Sequence, residues 1–189
     1  MATLRRARRF VLADDREVSV RSAAPSDVRA LRALLDAVAA EPSTPILHVP
    51  GSRTLRGLRA EVLEASGAAD RLLLVALVDG TLAGHLALAG TAHPFAPHVC
   101  EVGVAVAAPF RRLGVASALM DVALPWAARH AYTRVTAGVF PHNRGALAFF
   151  SRYGFGREGV RTGQYLRGGN LYDEVLLAVR PRPAADDPR

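Results

Sequence analysis

Lysine is missing from this chain: all 24 residues counted as Lys plus Arg are arginine. Together with the abundance of alanine, this reads as the codon bias of a GC-rich genome, so arginine content carries little functional weight by itself. The formal charge of +7 suits an anionic partner, whether nucleic acid, a membrane surface or a phosphorylated cofactor, without choosing among them. Cysteine is nearly missing too. Cys100 stands alone, which excludes an internal disulfide framework and a Cys-rich metal site, and makes a reduced, intracellular compartment the default. Nothing near Cys100 would hold a thiolate, so it reads as a buried small hydrophobe. No stretch approaches the roughly 18 uninterrupted apolar residues of a membrane span. The histidines at 48, 85, 93, 98, 130 and 142 lack metal-ligand spacing. The basic opening MATLRRARRFVLADD lacks the apolar run of a secretion signal. It reads as a flexible leader over residues 1–15, with an organellar transit peptide as the lesser alternative.

What is present fits one soluble domain. With 189 residues, 50% of them hydrophobic and 22% charged, the chain can bury roughly two-thirds of its unfolded surface in a single core. Residues 16–180 form that domain, and PRPAADDPR, residues 181–189, reads as a disordered tail. Alternation in EVSVRS predicts a strand, and Ser26 and Asp27 after Pro25 start a helix of about 14 residues. The proline-containing segment EPSTPILHVPGS is a loop, and a second helix covers about Thr54 to Ala65. RLLLVALVDGTLAGHLALAG reads as a hairpin turning at Asp79 and Gly80, its strands apolar on both faces and so covered on both. CEVGVAVAA is a strand and VASALMDVALPWAARH a helix containing Pro125. TRVTAGVF is a strand, NRGALAFFSRY a helix ended by Gly154, and FGREGVRT and LYDEVLLAV are strands around a loop, GQYLRGGN. The order implies a mixed α/β fold with a central sheet.

The chemistry concentrates at PFRRLGVASALM, where strand gives way to helix. A helix N-terminus presents about four unpaired backbone N–H groups and roughly half a positive charge, a ready anion site. Gly114 lets backbone approach an anion, Ala116 removes bulk, and Arg111 and Arg112 add charge. Neither a Walker loop nor GxGxxG is present. An ordinary strand-to-helix turn with solvated arginines accounts for the local pattern equally well.

The wider pattern resembles the GNAT superfamily of acetyl-CoA-dependent N-acyltransferases. Arg111, Gly114 and Ala116 fill its central motif, and Asn143, Ala146, Gly154 and Phe155 match the second; LYDEVLLAV is similar to the family's last strand. The resemblance implies a mostly antiparallel mixed sheet flanked by helices, with the strand at 100–106 splayed from that at 133–139. It implies acetyl-CoA as acyl donor, with Val104, Ala105 and Val106 along the pantetheine. The backbone of Arg111, Arg112, Leu113, Gly114, Val115, Ala116 and Ser117 would lie about the pyrophosphate, with Asn143 and Phe150 near the thioester. No metal is implied.

An amine attacks a thioester only when neutral, and one with a pKa of about 10.4 is neutral in roughly one molecule in 2,500 at pH 7. A base is therefore needed. Glu101 resembles an acidic position used by some members, and a strand-edge glutamate merely paired with arginine is the equal alternative. His85 is the second candidate. The family's usual tyrosine acid falls at Phe150, which has no proton to give; Tyr153 reads as core, and Tyr165 and Tyr172 are unassigned. No activated Ser or Cys is visible, which favours direct attack. The expected function is N-acetyl transfer to a primary amine of a small molecule or protein, in the cytoplasm, with a homodimer as a candidate assembly and no nucleic-acid or membrane partner. A non-catalytic acyl-CoA sensor is the alternative. Acceptor specificity is expected in loops 41–53 and 163–170 and at His85.

Overall fold

The computed structural model describes residue 4, residues 6–41 and residues 53–183. Among these, the chain runs β1 (Arg8–Val11), β2 (Glu17–Ser22), α1 (Val28–Ala40), α2 (Leu55–Gly67), β3 (Arg71–Val78), β4 (Thr81–Gly90), β5 (Val99–Val106), α3 (Val115–Arg129), β6 (Arg134–Val139), α4 (Arg144–Arg152), β7 (Gly156–Arg167) and β8 (Asn170–Val179). The strands form one sheet in the order β1-β2-β3-β4-β5-β6-β8-β7. Every neighbouring pair is antiparallel except β5–β6.

The doubly apolar strands sit where both faces are covered. Leu74 and Val75 are adjacent in β3 and both 0% exposed. Leu74 joins the cluster built on α3, with Leu119, Met120 and Trp126, while Val75 joins Leu31, Leu58 and Val62 of α1 and α2. Alternate residues of one strand thus feed two separate cores, which requires an unbroken apolar run. The β3–β4 turn follows from Asp79 at φ 50° and Gly80 at φ 76°, the two left-handed residues of a two-residue hairpin.

Three expectations need correction. Arg8–Val11, inside the stretch expected to be a flexible leader, pairs with β2 as the edge strand of the sheet. Its turn is held by Leu12 N–H donating to Arg16 O at 2.8 Å, and Leu12 is buried. Second, most of the expected loop GQYLRGGN is strand. Only Gly168 and Gly169, at φ 57° and 81°, form the turn, and Gly163 at φ 60° marks a register shift in β7 rather than its end. Third, Pro25–Asp27 is a 3₁₀ turn, so α1 proper starts at Val28. The segment 42–52 and His48 within it lie outside the described residues, as does most of the expected tail.

The Pro25–Asp27 turn is fixed by a carboxylate. Asp27 accepts from Arg21 Nη1 at 2.6 Å, Arg21 Nη2 at 2.8 Å and the Ala24 N–H at 2.7 Å. Burial opposes its charged form, but the guanidinium and the backbone N–H outweigh burial and hold its pKa below the usual 3.8. The lowered pKa contributes stability above the unfolded value, and that contribution is lost as pH falls through the folded one. Asp27→Asn should therefore cost about 1–2 kcal/mol at neutral pH, and chemical denaturation should show wild type and variant converging below pH 3.8.

Candidate active site

β5 and β6 pair only at Val99–Arg134, Cys100–Val135 and Glu101–Thr136. Beyond Glu101 and Thr136 the two strands have no ladder between them, although β5 remains paired to β4 through Val106 and β6 to β8 through Val139. The sheet therefore opens a wedge at its centre. One lip holds the exposed Glu101 and Gly103, the other the exposed Gly138. Val104 and Val106 pack towards the α3 core, whereas Ala105 packs against α1 and α2. Backbone polar groups of β5 left without a strand partner can be satisfied by an extended ligand.

At the end of β5, residues 111–114 turn the chain into α3. Arg112 adopts φ 63° and Gly114, the residue before the helix, φ 105° and ψ 0°. No side chain caps α3, and its first intrahelical bond is Ala118 N–H to Gly114 O at 2.9 Å. The N–H groups of Val115, Ala116 and Ser117 precede that bond and have no intrahelical partner, which is the arrangement that binds a diphosphate. Gly114 and Arg112 are exposed and Ala116 and Ser117 half-buried, leaving an approach for the anion. These features fit the pyrophosphate of acetyl-CoA, with the wedge leading from it along β5.

Several expected site residues have other partners. Arg111 donates from Nε to Val106 O at 2.9 Å, and its guanidinium grips Glu41 at 2.6 and 2.7 Å. Its own N–H faces Ala108 O at 3.3 Å. Arg111 thus ties the end of α1 to the end of β5, and the exposed Arg112 is the residue left to add charge beside the turn. Leu113 O accepts from Ala13 N–H at 2.9 Å. The N-terminal hairpin is therefore docked on the turn, with Leu12 beneath Gly114 and the Arg16 guanidinium 5.4 Å from the centre of the Phe110 ring. Asn143 caps α4, its Oδ1 accepting from Ala146 N–H at 3.1 Å. Phe150 is 3% exposed, packed edge-on to Phe149 and Phe155. Tyr153 braces α4 to α3, its hydroxyl 2.8 Å from Asp121 Oδ1 and 3.1 Å from Ser117 O, and burial foremost pushes its pKa up to about 12.

The two candidate bases occupy different environments. His85 pairs with Val75 and Ala105 and is 7% exposed, with Nδ1 3.0 Å from Leu74 O. Burial drives its pKa down to about 4, so it is neutral at working pH and a weak proton acceptor. Glu101 is exposed at the last paired position before the wedge. Geometry brings Glu101 to the opening and leaves His85 in the sheet interior. Burial likewise lifts Cys100 to about 12, which leaves it without nucleophilic character.

One polar residue at the wedge was not singled out from sequence. Glu174 is 4% exposed, accepting from Arg161 Nη1 at 2.9 Å and from Tyr165 Oη at 3.0 Å. Only a carboxylate in the otherwise apolar run EVLLAV signals it. Among the described residues no group of His, Cys, Asp and Glu could hold a metal ion.

Residues 40–155 match the model of the Acetyltransferase (GNAT) family. The chain belongs to the GNAT family. It is 33% identical over 106 residues to the L-amino acid N-acetyltransferase AaaT of Escherichia coli strain K12, a match spanning 56% of this chain and 65% of that protein. Among solved structures, a Salmonella typhimurium protein determined with its cofactor acetyl-CoA superposes with a TM-score of 0.78 at 17% identity, covering 90% of this chain and 98% of that one. The ribosomal-protein-alanine N-acetyltransferase of Brucella melitensis gives 0.77 at 21% identity, covering 85% and 98%. At such identities these structures speak to the fold alone.

Gly114→Glu should abolish acetyl-CoA binding, because it puts a carboxylate beside the uncapped N–H groups of α3 that fit a diphosphate. At φ 105° any side chain is strained, costing of order 1–3 kcal/mol. Calorimetric titration well below the variant's melting temperature should show no binding, and unchanged affinity would remove the site.

Proposed function

We propose that this protein is an acetyl-CoA-dependent N-acetyltransferase that moves an acetyl group to a primary amine of a small molecule or a protein by direct attack. The observation that carries the reading is the uncapped N-terminus of α3, preceded by Gly114 in the left-handed region and followed upstream by a sheet wedge with Glu101 at its mouth. The bare N–H groups of residues 115–117 hold the pyrophosphate with the helix dipole. The unpaired edge of β5 holds the pantetheine, and backbone N–H near Val104 polarises the acetyl carbonyl as charge develops on its oxygen. Glu101 takes the acceptor's proton, directly or through water, and the nitrogen lone pair attacks the acetyl carbon. The tetrahedral adduct collapses with cleavage of the carbon–sulfur bond. Phe150 cannot protonate the departing thiolate, which leaves with a proton from solvent.

The name of AaaT makes a free L-amino acid one acceptor to try, alongside protein amines. The proposed setting is cytoplasmic, without a nucleic-acid or membrane partner. In support, Arg21, Arg71, Arg111, Arg134 and Arg161 are each ion-paired to a carboxylate rather than gathered on one basic face. Phe150 at the usual acid position supports a second reading, an acyl-CoA sensor without turnover. Release of free CoA thiol over a panel of amines separates the two. Glu101→Gln should lower kcat by about 10²-fold while calorimetry shows unchanged acetyl-CoA affinity. Tight acetyl-CoA binding with no thiol release from any amine, and none gained by Phe150→Tyr, would establish the sensor instead.

A further inference from the structure

The opening between β5 and β6 is bordered by two carboxylates, and only Glu101 has an assigned role. Glu174 lies on β8, yet its side chain leans across β6. A Cβ added at Gly138 would overlap the Glu174 carboxylate, with Cδ only 2.8 Å away. Glycine at 138 therefore makes the space that the carboxylate fills. Thr136 and Gly138 lie on one face of β6 by the two-residue pleat, and Glu101 is level with Thr136. Glu101 and Glu174 thus stand on the same face of the sheet, at opposite lips of the wedge.

Tyr165 bridges this arrangement. Its hydroxyl donates to Glu174 Oε1 at 3.0 Å. A carboxylate that also receives Arg161 can only accept, so the single hydroxyl hydrogen of Tyr165 is committed to it. The oxygen's lone pairs are left to take a hydrogen bond from an N–H donor. Burial foremost, then the bond to Glu174 and the nearby charges of Glu174 and Glu101, push Tyr165 up to about 12, so its proton stays in place through the working range. The ring itself packs on Phe140, 5.6 Å between centroids, and Phe140 in turn meets Tyr172 edge-on at 5.8 Å. An aromatic wall therefore adjoins the hydroxyl.

We infer that Tyr165 receives the acceptor's ammonium group opposite Glu101, that Glu174 is the positioning residue that aligns the Tyr165 hydroxyl, and that the acceptor is a primary amine carried on an apolar or aromatic group. This rests on the acetyltransferase reading above and deepens its acceptor side. One N–H of the ammonium is held by Tyr165 Oη and another by the Glu101 carboxylate; Glu101 takes that second proton, and the neutral amine, still held at Tyr165, turns the vacated lone pair onto the acetyl carbon. Two carboxylates, Glu101 and Glu174, border the opening with the guanidinium of Arg161 on one of them, an arrangement that suits a cationic group.

The test uses the full chain, acetyl-CoA and 2-phenylethylamine, chosen for the aromatic wall, with ethylamine for comparison. The expected result is that 2-phenylethylamine has the lower KM, and that Tyr165→Phe raises that KM about tenfold or more while acetyl-CoA affinity by calorimetry is unchanged. Glu174→Gln and Gly138→Ala should act in the same direction, the second displacing the carboxylate without altering it. Because Glu174 acts through Tyr165, the double variant Tyr165→Phe/Glu174→Gln should be no worse in kcat/KM than Tyr165→Phe alone. Should the Glu174 variant fail to fold, Gly138→Ala takes its place in the double variant. An unchanged amine KM in Tyr165→Phe, effects of the two substitutions that multiply in full, or no preference for the aromatic amine would each overturn the inference. Those outcomes leave the transferase reading standing, whereas absence of acetyl-CoA binding to wild type would remove that reading itself.

Discussion

The parting of β5 from β6 is the constraint on which the rest of the structure depends. Strands that pair for three positions and then diverge leave backbone N–H and C=O groups with no partner in the sheet, and a buried polar backbone does not persist unsatisfied. Two covered cores make the divergence tolerable. α3 closes one face through Leu119, Met120 and Trp126, and α1 with α2 closes the other through Leu31, Leu58 and Val62. The sheet is thereby held rigid on the β3–β4 side, and β6 is held by β8. The opening lies between two well-supported halves.

Arginine does much of the tying around this opening. Arg111 links β5 to Glu41 at the end of α1, and Arg161 sits on Glu174 from β7. Arg21 organises the entry to α1 through Asp27. The Arg111–Glu41 and Arg21–Asp27 contacts are forked guanidinium–carboxylate pairs that a lysine ammonium could not reproduce bidentately, whereas Arg161 reaches Glu174 through a single bond. The compositional bias that strips arginine of diagnostic value in the sequence has been put to structural use in the fold. Arg111 is the clearest case: it fills the family motif, but its side chain faces a carboxylate, and the backbone beyond it is what remains for an anion.

The α3 turn also leans on a part of the chain that carried no motif. Ala13 N–H bonds Leu113 O, and Leu12 lies under Gly114. The turn that follows edge strand β1 therefore buttresses the backbone whose N–H groups face outward. Arg112 in the left-handed region, two residues before Gly114, is strained, and such strain persists where surrounding contacts over-determine it.

Much of this was legible in the residues themselves. Periodicity located the β3–β4 hairpin, the long α3 and the short α4, because a doubly covered strand and an amphipathic helix each leave a local signature. The Arg111, Gly114, Ala116 pattern marked the strand-to-helix turn for the same reason, since the conformation of a turn is a property of its own few residues. The leader and the GQYLRGGN segment were read differently, because edge strands have weak patterns of their own and gain their order from pairing with the neighbouring strand. Glu174, Tyr165 and Gly138 come together only when β6, β7 and β8 align. Sequence alone thus determined most of the helices and interior strands and marked the strand-to-helix turn at Gly114, all matters of neighbours within a few residues. Tertiary structure alone decided that Glu101 faces the opening while His85 is sealed at about 4, because burial is set by what packs on a strand's face and no local pattern records that.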